Sequence, residues 1–133
     1  MLNTPLHRLN ETHIQSVTKQ DGSWSIEFSN GDSLEILCLW RLLEDNLISS
    51  TSEDHDKDFG WKQRFDGVIA LSALADKTIV NVSMLPETGD IGIKFENETI
   101  LQVVPVSAGL VSWRFIQSDG SGFIAKSGQL HPL

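Results

Sequence analysis

The residues with the greatest potential for metal chemistry lie in one acidic stretch near the middle of the chain. It reads DHDKDFG from Asp54 to Gly60, with three aspartates at alternate positions, as at the start of an EF-hand calcium loop. The glycine comes one position late, however, and the twelfth position holds Phe65 where a bidentate glutamate belongs. No helical pattern flanks the segment. We therefore predict a solvated acidic loop, with no metal and no cofactor.

No arrangement of residues typical of catalysis accompanies this stretch. The four histidines share no spacing that would gather them as metal ligands. The chain contains no nucleophile elbow, phosphate-binding loop, dinucleotide fingerprint or HExxH motif. Glu27 and Glu35 could face each other across a hairpin, but exposed like charges there are only mildly unfavourable and do not indicate a catalytic pair. These observations predict that the protein is not an enzyme.

The same region carries better candidates for recognition. Phe59 and Trp61 lie in an irregular segment close to Arg64, and aromatic rings with arginine are typical of interface hot spots. The alternative is that the rings fold back over a sheet as a lid. Six nearby carboxylates would attract a basic partner and speed encounter. The candidate binding residues are Glu44, Asp45, Glu53, Asp54, Asp56, Asp58, Phe59 and Trp61.

Charge and composition limit the classes of partner. The 133 residues contain 18 carboxylates and 10 Lys and Arg, for a net charge of -8. This charge disfavours nucleic acids and anionic membranes and is compatible with a basic protein. No stretch approaches the ~20 apolar residues of a membrane span, and residues 1–10 contain no apolar core of a secretory signal. Cys38 is the only cysteine, so no disulfide forms within the chain, and we expect a cytoplasmic protein.

The elements that would position these residues follow an internal repeat. Residues 26–37 match residues 93–104 at a constant offset of 67, and a Trp-Arg pair follows each copy, at Trp40 and at Trp113. Residues 9–17 match residues 74–82 at an offset of 65, so the turn that follows them is two residues longer in the second copy. Such a duplication indicates one scaffold built twice.

Each copy has the two-residue apolar alternation of β-strands. We predict an all-β fold with one or two short helices, in which two pseudo-symmetric antiparallel β units pack as one sandwich or partly open barrel. The single domain, 1–133, would contain repeats at about 9–48 and 74–127, joined by a mobile acidic loop at about 49–66. Strands of one half are expected to complete the sheet of the other, because a lone half would leave exposed edges.

Local signals refine this plan. Asn30-Gly31 predicts a two-residue type I′ hairpin turn, and Asn97-Glu98 predicts a looser one. The apolar run from Leu34 to Leu42 predicts one continuous central strand. Two short helical turns are expected, one over Val68–Leu74 with Asp66 as its N-cap, and a matching one at residues 4–9.

The repeated pattern Leu-x4-Ile-x2-Val, then a strand ending in Phe-x-Asn, then Leu-x-Ile/Val and Trp-Arg, resembles a family of small bacterial proteins built from a duplicated β unit. It spans residues 9–43 and 74–114. That family brings no activity or catalytic residue. Small acidic bacterial proteins of this kind are also similar in class to the immunity proteins of toxin systems.

Function therefore has three alternatives. The first is a non-catalytic protein-binding module, with an immunity-type inhibitor of a basic toxin as its concrete form. The second is a small-ligand or enzyme-like site in the cleft between the halves. The third is a structural module that forms a homodimer.

Overall fold

The chain folds into two antiparallel β-sheets, which a computed structural model describes for residues 4–126 and 129–133. Strands account for 46% and helices for 11% of the structure, and the sheets pack together without closing into a barrel. The predicted all-β class is confirmed, with the sandwich as its architecture. The strands are β1 Ile14–Gln20, β2 Ser23–Phe28, β3 Ser33–Ile36, β4 Leu39–Glu44, β5 Leu47–Thr51, β6 Ile79–Met84, β7 Ile91–Phe95, β8 Ile100–Val104, β9 Val111–Ile116, β10 Gly122–Lys126 and β11 Gln129–Pro132.

Each sheet combines strands from both halves of the chain. The six-stranded sheet has the order β1-β2-β3-β9-β10-β11, and the five-stranded sheet has the order β5-β4-β8-β7-β6. The prediction that one half completes the sheet of the other is therefore confirmed. The final strand, β11, was not predicted from the sequence.

The predicted continuous strand from Leu34 to Leu42 is wrong. It breaks at Leu37-Cys38, so that β3 lies in the six-stranded sheet and β4 lies in the five-stranded sheet. Both pieces are central strands of their sheets, and Leu37, on the outer side of the run, lies in the link and is 38% exposed. Ile36 and Trp40 are both fully buried, because the two-residue link keeps the inward alternation in phase across the switch.

The pairing across the two halves follows the same register twice. Ile36 pairs with Trp113 in one sheet, and Val103 pairs with Trp40 in the other. These are positions that align when residues 26–37 are compared with 93–104 and one Trp-Arg pair with the other. The hairpins β1–β2 and β6–β7 also share a bulge, located between Ile14 and Ser16 and between Ile79 and Asn81.

The repeated Trp-Arg pairs have a structural role at this junction. Arg114 lies opposite Glu35 and forms an ion pair with it, and both side chains are partly exposed. Arg41 lies opposite Gln102, and its Nε donates to Oε1 at 2.6 Å. Each arginine therefore joins its own half to the returning strand of the other half.

The turn after β2 differs from the predicted type I′ turn. Only Gly31 has a positive φ (90°), Phe28 N donates to Asp32 O at 2.9 Å, and Asn30 Oδ1 accepts from Asp32 N. This is a three-residue loop that ends in a left-handed residue. Glu98 takes the place of that glycine in the second copy, with φ 72° and the same backbone hydrogen bonds, so the second turn is not looser.

The two predicted helical turns are confirmed. Helix α1 spans Gly67–Ser72, and the Asp66 carboxylate accepts from Val68 N and Ile69 N. A 3-10 helix spans Pro5–Leu9. A second 3-10 helix, which was not predicted, spans Ser52–Asp54. None of the described helices has the ~20 residues that a membrane crossing requires.

Candidate functional site

The structure divides the predicted acidic residues between the two ends of β5. Glu44 ends β4, and Asp45 lies in the β4–β5 turn, where Asp45 and Asn46 both have positive φ (54° and 63°) as a type I′ turn requires. Glu53 lies beyond the other end of β5, which continues to Thr51 past the predicted boundary at residue 48. At ~3.4 Å per residue, the two groups are separated by roughly 20 Å along the strand.

Two of the predicted carboxylates also stabilise the local backbone. Asp54 Oδ2 accepts from Thr51 N at 2.9 Å and closes a capping box on the second 3-10 helix. Asp58 Oδ1 accepts from Gly60 N at 3.1 Å. These bonds leave the remaining acceptor positions of both groups for other contacts.

The predicted aromatic residues form an exposed pair. Phe59 is 54% exposed and Trp61 is 58% exposed, and their ring centroids lie 5.2 Å apart in an edge-on arrangement. The alternative, in which the rings cover a sheet, is not observed. Because such large apolar rings are usually buried, an exposed pair marks a candidate contact surface.

Backbone hydrogen bonds hold the loop that carries this pair. Asp56 N donates to Phe65 O and Phe65 N donates to Lys57 O, both at 2.8 Å, and Trp61 N donates to Asp58 O at 2.6 Å. Phe59 has a φ of 46°, a left-handed conformation that a bulky residue adopts only under constraint. The loop is therefore preorganised in the conformation that presents both rings.

A close contact with the core anchors the other side of the loop. The His55 ring packs edge-on against Trp24 at 5.1 Å, and its Nδ1 accepts from Gly67 N at 3.0 Å. A Cβ on Gly67 would lie 2.5 Å from Trp24 Cη2, so this helix start requires glycine. Trp24 packs in turn against Trp40 at 5.1 Å. This chain of contacts connects the acidic loop to the centre of both sheets.

The acidic stretch is not arranged as a calcium loop. Among residues 4–126 and 129–133, no three His, Cys, Asp or Glu side chains come together as metal ligands. The carboxylates of Asp54 and Asp58 point at backbone amides nearby, as described above.

A crevice opens at one end of the sandwich, where both halves change sheets. It has two adjoining lobes of about 410 and 490 Å³, which share Gly22, Leu37, Cys38 and Val106. Val106 is 74% exposed, and the first lobe is lined by no charged side chain. The crevice is open to solvent on one side.

Cys38 lies in this crevice and is partly buried. Burial raises the pKa of its thiol to about 12, and the thiol remains protonated at neutral pH.

One fully buried carboxylate belongs to the scaffold. Asp32 accepts from Arg8 Nε and Nη2 at 3.0 and 3.1 Å, from Asn30 Nδ2 at 3.0 Å, and from Ser118 N at 2.9 Å. The hydrogen bond and charge of Asp32 raise the pKa of Arg8. With both oxygens occupied, Asp32 ties the first 3-10 helix and two turns together.

Sequence reasoning missed the exposed apolar residues at the start of β5. Leu47 is 71% exposed and Ile48 is 57% exposed, between the two acidic groups. The available signal was an uncharged run, Leu47–Thr51, flanked by acidic residues on both sides.

Comparison with protein-family models, with curated proteins and with solved structures gave no match.

Proposed function

We propose that this chain is a non-catalytic, cytoplasmic protein-binding module that engages a basic protein through the loop at 53–61. The observation that carries the proposal is the exposed Phe59–Trp61 pair on a hydrogen-bonded loop. A rigid aromatic pair offers a large contact area at low entropic cost on binding.

The charge of the chain supports the choice of a basic partner. The net charge is -8, and Glu53, Asp56 and Asp58 are exposed beside the aromatic pair in sequence. Such a field attracts a cationic surface and raises the association rate, with a strong dependence on salt. Lys57 lies within the loop, and Lys62 and Arg64 follow it, so a fitting basic partner would carry isolated acidic groups opposite these cations.

The concrete form of this proposal is an immunity-type inhibitor of a basic toxin. Tight inhibition needs a preorganised surface, because ordering a loop on binding reduces affinity. The left-handed Phe59 and the paired backbone of Asp56 and Phe65 support such preorganisation.

Affinity capture from a lysate of the source organism tests the proposal. Wild-type protein should capture a basic protein, and Phe59→Ser/Trp61→Ser should lose it. Val80→Ser/Leu85→Ser is the matched control, because these residues are 50% and 56% exposed on another edge of the molecule. Affinity of the purified pair should fall as salt is raised from 0.05 to ~0.5 M. Coexpression should protect cells from the captured protein if it is a toxin.

Three results would contradict the proposal. They are the absence of a basic partner, a partner that the double variant retains at full affinity, and an affinity unaffected by neutralising the six predicted carboxylates.

The crevice supports a second candidate function, the binding of a small uncharged apolar molecule. Its volume is within the range of ligand sites, and Leu37, Val106 and Leu110 give its first lobe an apolar surface. Nile red should gain fluorescence with wild-type protein and lose that gain with Val106→Glu/Leu110→Glu. Unchanged fluorescence in wild type would reject this site.

A further inference from the structure

Strand β5 corresponds to strand β10 in the other sheet. Arg41 pairs with Thr51 and Leu42 with Ser50, while Arg114 pairs with Ile124 and Phe115 with Phe123. All four positions differ by one offset of 73 (114 − 41 and 124 − 51). The two hairpins therefore share their register at these two pairs, although their turns differ in length.

The outer edges of these two strands differ. β10 is covered by β11, which pairs with it antiparallel from Phe123 to Lys126. In the described part of the chain, β5 has one neighbouring strand, β4, and forms the edge of its sheet. The chain leaves β5 into the second 3-10 helix at Ser52 and forms no further strand before α1. The five-stranded sheet thus has an open position where the six-stranded sheet carries its sixth strand.

The edge of β5 also carries few of the features that usually protect sheet edges. Leu47–Thr51 contains no charge and no proline, and its first two side chains are exposed. The other edges carry more protection: β1 contains Lys19 and packs against α1, β11 contains Pro132, and the first 3-10 helix packs against β6. Helix α1 also reaches β5, but its contact there is smaller than its contact with β1. Two protective features are present in β5, which is only five residues long and has a bulge at Ser49.

We propose that the outer edge of β5 receives an extended segment of the partner as an added antiparallel strand. The partner segment would have apolar or hydroxyl-bearing residues at its centre and Lys or Arg at both ends. Glu44 and Asp45 lie at one end of β5, and Glu53 and Asp54 lie at the other. Backbone hydrogen bonds would supply affinity, and the acidic groups would select the flanking charges.

The same charges disfavour a second copy of this chain on the edge. Antiparallel pairing of two β5 strands would bring Asp45 of one copy towards Glu53 of the other, at both ends of the interface. Like charges at such positions are unfavourable. The inference rests on the proposed function for the basic character of the partner, and it explains how acidic residues ~20 Å apart could serve one ligand.

Titration of ¹⁵N-labelled protein with a synthetic peptide tests the edge without the native partner. The probe is Lys-Thr-Val-Thr-Ile-Thr-Lys, which has β-forming residues between two cations. We expect amide shifts centred on Leu47–Thr51 and slower hydrogen exchange there. Lys-Thr-Val-Pro-Ile-Thr-Lys keeps the charge but lacks a backbone donor, and it should bind at least about tenfold more weakly. Glu-Thr-Val-Thr-Ile-Thr-Glu should also bind at least about tenfold more weakly.

Variants locate the binding strand. Ile48→Lys should abolish the shifts, and Leu47→Lys is a second variant should the first fail to fold. Val80→Lys on β6 is the matched control and should leave the shifts unchanged. Shifts that are absent, centred elsewhere or insensitive to Ile48→Lys would overturn strand addition. A homodimer that is detected by sedimentation and dissociated by Ile48→Lys would also overturn strand addition, because the edge would then bind a second copy of the chain.

The outcomes for the two proposals are separable. If the captured basic partner is lost with Phe59→Ser/Trp61→Ser but binds Ile48→Lys at full affinity, the proposed function holds and strand addition fails. If the basic peptide occupies β5 while no basic partner is captured, strand addition is supported and the proposed function fails.

Discussion

The two equivalent tryptophans should respond differently to the same substitution. Both are fully buried, but Trp113 Nε1 donates to Gly89 O at 2.8 Å, whereas Trp40 Nε1 has no hydrogen-bond partner in the described structure. The two tryptophans differ because the turn that supplies this carbonyl is longer than its counterpart in the first half of the chain. Gly89 belongs to the six-residue turn between β6 and β7, and the corresponding β1–β2 turn has two residues. We predict that Trp113→Phe destabilises the protein more than Trp40→Phe.

The magnitude follows from the hydrogen bond. Both substitutions remove a similar volume, so their cavity costs largely cancel in the comparison. Trp113→Phe also breaks this bond and leaves the carbonyl of buried Gly89 unpaired, which costs about 1–3 kcal/mol. Trp40→Phe instead removes an unpaired donor. The expected difference is therefore about 2 kcal/mol. With an unfolding entropy of about 280 cal/mol/K for 133 residues, it corresponds to about 7 °C in Tm.

Urea unfolding followed by far-UV circular dichroism measures this difference without relying on tryptophan fluorescence. Replacing either residue by benzothienylalanine, which exchanges N–H for sulfur at nearly constant shape, is the control for packing. Benzothienylalanine at position 113 should lower the free energy of unfolding by about 1–2 kcal/mol, and at position 40 it should leave that free energy unchanged or raise it. Equal effects at the two positions, or a larger loss at position 40, would refute the reasoning.

Three further substitutions or modifications have expected outcomes. Glu98→Gly should stabilise the protein by about 0.5–1 kcal/mol, because Glu98 has a φ of 72°. Gly67→Ala should destabilise it by about 2–3 kcal/mol, because its Cβ would overlap the Trp24 ring at 2.5 Å. Alkylation of Cys38 at pH 8 should be slower by about 10³ in the folded state, since its pKa rises from 9.0 to about 12. By the same shift, stability should fall as pH rises above about 9, where only the unfolded thiol ionises.

Each of these has its own control. Glu98→Ala removes the ion pair with Lys94 but keeps the left-handed side chain, so a gain equal to that of glycine would contradict backbone strain. Gly22→Ala meets nothing within 4 Å and should change the free energy of unfolding by less than about 0.5 kcal/mol. Similar alkylation rates for Cys38 in folded protein and in urea would show that the thiol is not protected.

The sequence was sufficient for the fold class, which follows from apolar alternation, and for the exchange of strands between halves, which follows from the exposed edges that a lone half would leave. It did not reveal the break at Leu37-Cys38. A two-residue link preserves the alternation of buried positions, so one strand and two strands in different sheets produce the same pattern. The Asn30-Gly31 signal located a turn correctly but not its type, since glycine also favours the left-handed end of a three-residue loop.

The candidate site was only partly accessible to sequence reasoning. Phe59 and Trp61 were identified from their place in an irregular segment, but their exposure depends on loop hydrogen bonds that no local pattern records. The separation of Glu44 from Glu53 by the length of β5 required the strand boundaries. The open edge of β5 depends on strand order, which is set by contacts between distant parts of the chain.

The exchange of strands between halves also governs when the molecule can fold during its synthesis. β3 ends at Ile36, and its partner β9 begins at Val111, 75 residues later (111 − 36). At about 5–20 residues per second, a ribosome needs roughly 4–15 s to deliver that partner. During this interval β3 can pair with β2 on one edge, but its other edge has no partner strand. The order of synthesis therefore sets a minimum folding time in the cell, which better packing of the finished core cannot shorten.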